Sequence, residues 1–160
     1  MRLNWVDWLS LGLVSTVGAF QYLRGVSDFS RVLYEALALL GAVVGASCLY
    51  RAVSELSGLP PASAYALLFL VLGTVGIAVA GLVNRVIAFS MGVFDRILSV
   101  LTGVLCGWMV GHVVLRFLLS IHSRDIHIAI RESWMASQLL YFGAFWELLA
   151  MLRIARYHNI

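Results

Sequence analysis

The residues of this chain that could do chemistry are few and widely spaced. His122 and His127 stand five apart. Helical neighbours on one face are three or four apart, so this spacing does not present two imidazoles to one metal ion. Cys48 and Cys106 both sit in apolar segments and lack the spacing of a metal site or a redox pair. They read as small buried hydrophobes. No glycine-rich phosphate loop, nucleophile elbow or zinc motif is present. The residue types therefore point away from an enzyme and imply no cofactor and no metal. Asp7, Glu35, Arg85 and Asp95 fall near the ends of apolar stretches. Charged groups there can reach lipid headgroups or cap a helix, and none falls at mid-span, where the cost of a charge peaks. His112 lies within an apolar run and admits two readings, a proton-relay group or a helix-to-helix hydrogen bond.

The elements that must carry these residues follow from composition. Of 160 residues, 62% are hydrophobic and only 12% are charged. Soluble domains are about half apolar and about a quarter charged, so this chain has too little polar surface to cover a water-soluble particle. The expected fold class is an all-α integral membrane protein, a single membrane domain over 1–160 with the lipid bilayer as its solvent. All eleven basic residues are Arg and the net charge is +3. The positive charge is scattered and forms no basic stripe, which excludes nucleic acid as a partner. No cleavable leader is read at the start, because the first apolar run continues to spanning length.

Four stretches, roughly 5–23, 32–50, 62–83 and 97–115, have the length and apolarity of transmembrane helices. Arg24-Gly25 closes the first, and the turn-rich Ser54-Glu55-Leu56-Ser57-Gly58-Leu59-Pro60-Pro61 separates the second from the third. Gly92 punctuates the chain before the fourth, where Asp95 suits an N-cap and Arg96 reaches the headgroups. Residues 120–133 read as polar. A C-terminal apolar helix follows over 134–152, either interfacial or a fifth span. Ser133, Ser137, Tyr141 and Glu147 share one side of it, which favours the interface. Four Arg in the connections 24–31 and 85–96 place those loops in the cytoplasm by the positive-inside rule.

In the fourth stretch Gly103, Gly107 and Gly111 recur every four residues on one face. Glycine there admits a second helix at close range, which is how helices associate in lipid. The partner helix could belong to the same chain or to a second copy. Gly41 and Gly45 repeat the spacing more weakly.

Several of these positions resemble motifs of the colicin V production protein family of bacterial inner-membrane proteins. Asp7 before the first span and Arg24-Gly25 at its close are similar to that family's frame. Glu35-Ala36-Leu37-Ala38-Leu39 is similar to its entry into the second helix. Asp95-Arg96-Ile97-Leu98, followed by Gly103 and Gly107, is similar to its fourth helix. Ser133-Trp134 and Ser137-Gln138-Leu139 give a fainter echo. The chain departs from the pattern in a longer gap between Gly25 and Glu35. It has Ser99 where the family tends to have glycine, Cys106 where it often has arginine, and Leu140 where proline is common. The resemblance implies a multi-pass protein of the bacterial inner membrane with four spans, required for toxin production or export. The resulting expectation is a protein supporting toxin export or envelope homeostasis through a homo-oligomer or a membrane protein partner. The alternative is a small oligomeric channel or transporter, with Glu35, Asp95 and His112 along a polar path.

Overall fold

Each helix boundary has a local chemical cause. The computed structural model describes residues 3–25, 28–121 and 123–141, and these form six α-helices in order. Helix α1, Trp5–Gly25, starts at Asn4, whose Oδ1 accepts from the N–H groups of Val6 and Asp7. The Asp7 carboxylate reaches back to accept from the Asn4 N–H at 2.9 Å, a reciprocal cap that satisfies donors from both ends of the first turn. Helix α2, Phe29–Ser57, is capped by Asp28 and stops at Gly58, where φ of 70° suits only a residue without a β-carbon. Helix α3, Pro61–Val86, has proline at its first position, where the missing N–H costs nothing. Helix α4 is Phe94–Leu118, α5 is Arg124–Glu132 and α6 begins at Trp134 and is described to Tyr141.

Three helices, α2, α3 and α4, are long and apolar enough to cross a membrane. The stretch expected to span over 5–23 does form α1, and its 21 residues reach about 31 Å. It falls short in apolarity because Asp7, Ser10 and Gln21 interrupt it, and all three are buried. Helix α2 is also longer than the apolar run of 32–50. At 29 residues it reaches about 43 Å, overshooting a hydrocarbon core of about 30 Å.

Contacts fix the directions. Gly18 meets Gly103, and Val14 meets Gly107, so α1 and α4 run antiparallel. Ser30 bonds Asn84 and Gly45 meets Leu72, so α2 and α3 do too. Arg24 pairs with Glu35 across the α1–α2 connection. The four long helices thus alternate up and down, with α1 on α4 and α2 on α3 as the main pairs. One end gathers Asp7, Tyr50, Pro61 and Arg116; the other gathers Arg24, Asp28, Asn84 and Asp95.

Two apolar cores hold the bundle. Ala36, Leu39, Ala42 and Ala46 of α2 pack with Tyr65 and Phe69 of α3 and with Cys106, Met109 and Val113 of α4. Val6, Leu115, Ile130, Ala136 and Leu139 join α1, α4, α5 and α6. The buried share of the apolar window is 44% for α4 and 17% for α3, which makes α4 the central helix and α3 a peripheral one. Leu37, Leu70, Val79, Leu82, Leu101 and Leu105 all point outward, an arrangement that lipid tolerates and water does not.

The polar run 120–133 contains a helix, α5, that composition concealed. Its charged side carries Arg124, Asp125, Arg131 and Glu132, while Ile126 and Ile130 share the opposite face, Ile130 being buried. Such a short amphipathic helix suits the membrane boundary. Helix α6 then runs from the Asp7 end toward Gly111 and His112, with Ala136 and Leu139 fully buried. The C-terminal helix expected over 134–152 lies outside the described residues beyond Tyr141.

Candidate functional site: polar joints between helices

The polar residues of the bundle gather at joints. At the Arg24 end, Glu35 is 1% exposed and accepts from both terminal nitrogens of Arg24 at 2.8 Å. Arg31, one turn before it on α2, donates at 3.1 Å, and Gln21 of α1 donates at 3.2 Å. A lone carboxylate would be expensive so close to lipid; two guanidiniums and an amide compensate it and fix its place. Gly25, at the last position of α1, sits where a β-carbon would collide with the Ser99 side chain of α4. Ser99 turns its hydroxyl back to the Asp95 carbonyl.

Beside this joint lies a cavity of about 390 Å³ between the start of α2, the end of α3 and the segment 87–93. Asp28 and Asp95 line it with Ser30, Asn84 and Ser90, between the rings of Phe29 and Phe89. Asp28 accepts from Ser30, from the Arg31 N–H and from Asn84 at 2.8 Å, which ties α2 to α3. The carboxylate oxygens of Asp28 and Asp95 suit hydrogen-bond donors.

Asp95 departs from its expected role. Helix α4 begins at Phe94, with Val93 before it in helical conformation and no side-chain cap. Asp95 is therefore inside the first turn, and its carboxylate accepts from the Met91 N–H at 2.7 Å and from Ser90. It braces the connecting segment instead of capping the helix, because Gly92 turns the chain back over it. Arg96 is exposed, as is Arg85. Asp95→Asn retains an oxygen for Met91 and is expected to be nearly neutral. Asp95→Leu should free residues 87–93, read as faster amide exchange there with little change in α4. Equal effects from both would mean that the charge matters, not the brace.

At the other end, Asp7 joins three helices. Besides closing the α1 cap, it accepts from the Ser133 hydroxyl at 2.6 Å and from the Met135 N–H at 3.0 Å. Ser133 in turn accepts from the Ala136 N–H, so it is the N-cap of α6. Asn4 donates to the Ala129 carbonyl of α5 at 2.6 Å. One carboxylate thus serves two helix N-termini, where the backbone dipole favours negative charge. Hydrogen bonds to a charged group contribute about 1.5–3 kcal/mol. Asp7→Ala should therefore lower the apparent Tm by about 3–12 °C, at about 2–4 °C per kcal/mol. Ser133→Ala should do less, and the double variant should exceed Asp7→Ala only by the lost Ala136 cap, short of the sum of the two. Additive losses in that cycle would contradict the joint.

The glycine face of α4 is occupied from within the chain. A β-carbon on Gly103 would stand 2.8 Å from the Gly18 carbonyl oxygen, and one on Gly107 would stand 2.8 Å from Val14 Cα and O. Gly111 faces the Leu139 side chain of α6 at 3.2 Å. Gly45 lies against Leu72, whereas Gly41 faces open space. His112 bonds through Nδ1 to the Leu139 carbonyl at 2.9 Å. It is 17 residues from Asp95 along α4, about 26 Å, so Asp95 and His112 lie at opposite ends of that helix.

No family model, curated protein or solved structure matches this chain. The motif residues therefore have to be judged by where they sit. Asp7 meets Ser133, Arg24 meets Glu35, and Gly25 meets the Asp95–Ser99 turn. Gly103 and Gly107 meet α1. Sequence reasoning missed Asn4, Gln21, Asp28 and Asn84. The Asn4–Asp7 spacing is a readable reciprocal cap, and Asp28 precedes an apolar run as an N-cap should. Nothing local announces Gln21 or Asn84. Among the described residues no group of three His, Cys, Asp or Glu side chains gathers as a metal site. His127 is half-buried, and His122 lies outside the described residues.

Proposed function

We propose that this chain is a four-span protein of the bacterial inner membrane that works by contact and not by catalysis. In this reading it supports toxin export or envelope homeostasis through a membrane protein partner or a second copy, as the resemblance to the colicin V production family implies. One observation carries the reading. The residues that resemble the family's motifs, up to 126 positions apart, meet one another as the joints between helices. They are spent on holding a bundle together, which is the use expected of motif residues in a protein whose working part is its outer surface. The fourth span is α1. Its polar residues Asp7, Ser10 and Gln21 face inward while Trp5, Trp8, Leu11, Phe20 and Leu23 face outward, so its modest apolarity is compatible with lipid on its exposed side.

A photo-crosslinking residue placed at Leu37, Leu70 or Val104 in native membranes tests this. These positions are exposed on α2, α3 and α4. The expected result is a discrete protein adduct from at least one of them, with no ion flux above empty vesicles from the purified chain. Adducts to lipid alone, together with measurable flux, would replace this reading with the channel.

A further inference from the structure

At the Asp7 end, two guanidiniums converge on one aromatic ring. Arg51, near the end of α2, lies 5.9 Å from the Tyr50 ring centre and donates through Nε to the Tyr50 hydroxyl at 3.1 Å. Arg116, near the end of α4, stands 5.3 Å over the same ring and 4.4 Å over the ring of Tyr65. The two rings meet edge to face at 6.1 Å. Arginine faces are thus taken up by aromatic faces, and the Tyr50 hydroxyl accepts from Arg51 Nε; terminal guanidinium N–H groups are the ones that match an oxyanion bidentately. Like charges brought this close repel unless something negative is shared between them. Among the described residues every ion pair goes to Glu35 at the opposite end. Glu55, one turn past Arg51, is exposed and attracts it from beyond ion-pair distance. Tyr65 is 1% exposed, and its hydroxyl is buried with no hydrogen-bond partner, so a polar group stands unused on the ring that Arg116 covers.

We infer that Arg51 and Arg116 together bind a phosphoryl anion, and that its source is the phosphodiester of an anionic phospholipid. The level in the bilayer selects the lipid. Arg51 directly follows the apolar stretch 32–50 of α2, and Arg116 is in the last turn of α4, both where headgroups lie. The exposed Leu49, Leu67 and Phe117 nearby in sequence offer acyl chains an apolar surface. Juxtamembrane arginines are the residues through which anionic headgroups are recognised.

The test is the thermal stability of the delipidated full chain in mild detergent. It is measured with added phosphatidylglycerol, phosphatidylcholine or inorganic phosphate. Phosphatidylglycerol is expected to raise the apparent Tm, phosphatidylcholine to do so much less, and inorganic phosphate hardly at all. Arg51→Gln, at an exposed side chain that the fold does not need, should lose most of the phosphatidylglycerol shift while keeping the lipid-free Tm. Arg116→Lys should keep part of it, and Arg85→Gln at the other end should keep all of it. Equal shifts from phosphatidylcholine, or an undiminished shift in Arg51→Gln, would overturn the proposal. A response to inorganic phosphate as large as that to phosphatidylglycerol would overturn the lipid as the source.

Discussion

Gly107→Leu is expected to lower the apparent Tm of the monomer by about 6 °C or more. The figure follows from an overpacking cost of about 3 kcal/mol and about 2–4 °C per kcal/mol. The reason is the identity of the neighbour. A β-carbon at 107 meets backbone atoms of Val14 at 2.8 Å, and backbone cannot rotate away as a side chain can. The α1–α4 pair would have to separate along its length, forfeiting many contacts of about 0.1–0.2 kcal/mol each. Gly111→Ala should cost much less, because its β-carbon meets only the end of the Leu139 side chain. Gly12→Ala and Gly81→Ala, with open space around them, should be silent. A loss of crosslinked oligomer with an unchanged monomer Tm would assign the face to a second copy instead.

Glu35→Ala should be comparably severe. Removing one partner of a buried ion pair costs about 3–5 kcal/mol, because the charge left behind has lost its compensation. Here the survivors are Arg24, whose side chain is 29% exposed, and Arg31, which is 47% exposed. Arg31→Ala should therefore cost no more than a surface pair, about 0–1 kcal/mol. The pair Arg24→Leu with Glu35→Leu should recover much of the loss, since the charge then left without its partner is the half-exposed Arg31. Failure of that double variant to recover would mean that Glu35 serves more than the joint, as the channel reading requires.

Much of this architecture was legible in the sequence, for reasons that vary by residue. The apolar runs are long enough to declare helices, and Gly58 with Pro60-Pro61 marks the α2–α3 turn without ambiguity. The spacing of Gly103, Gly107 and Gly111 announces a close approach, since nothing but glycine leaves a groove in a helix of Val, Leu and Trp. It cannot say which helix enters, and two different ones do: α1 at Gly103 and Gly107, α6 at Gly111. Asp7 was recognisable as a cap, but Ser133 stands 126 residues away, and no local rule connects them. Helix α5 was hidden because Arg124, Asp125, Arg131 and Glu132 dominate its composition, while Ile126 and Ile130 reveal a face only at helical spacing. Asp95 misleads for the opposite reason. Its type and its place after Gly92 suit a cap, yet the turn at Gly92 brings Met91 back onto it first. Ser99 lies against Gly25, so the small residue of that contact is on α1, which no local pattern in either helix announces.

The account stands or falls on whether α1 crosses the membrane beside α4. Single cysteines by Leu3→Cys, Leu59→Cys and Val93→Cys, in a Cys48→Ala/Cys106→Ala background, can be labelled in sealed vesicles of one orientation with an impermeant thiol reagent. All three positions are exposed. With α1 spanning, positions 3 and 59 react from the same face and position 93 only from the other. Labelling of position 3 from the same face as position 93 would place α1 on the surface and contradict the four-span bundle.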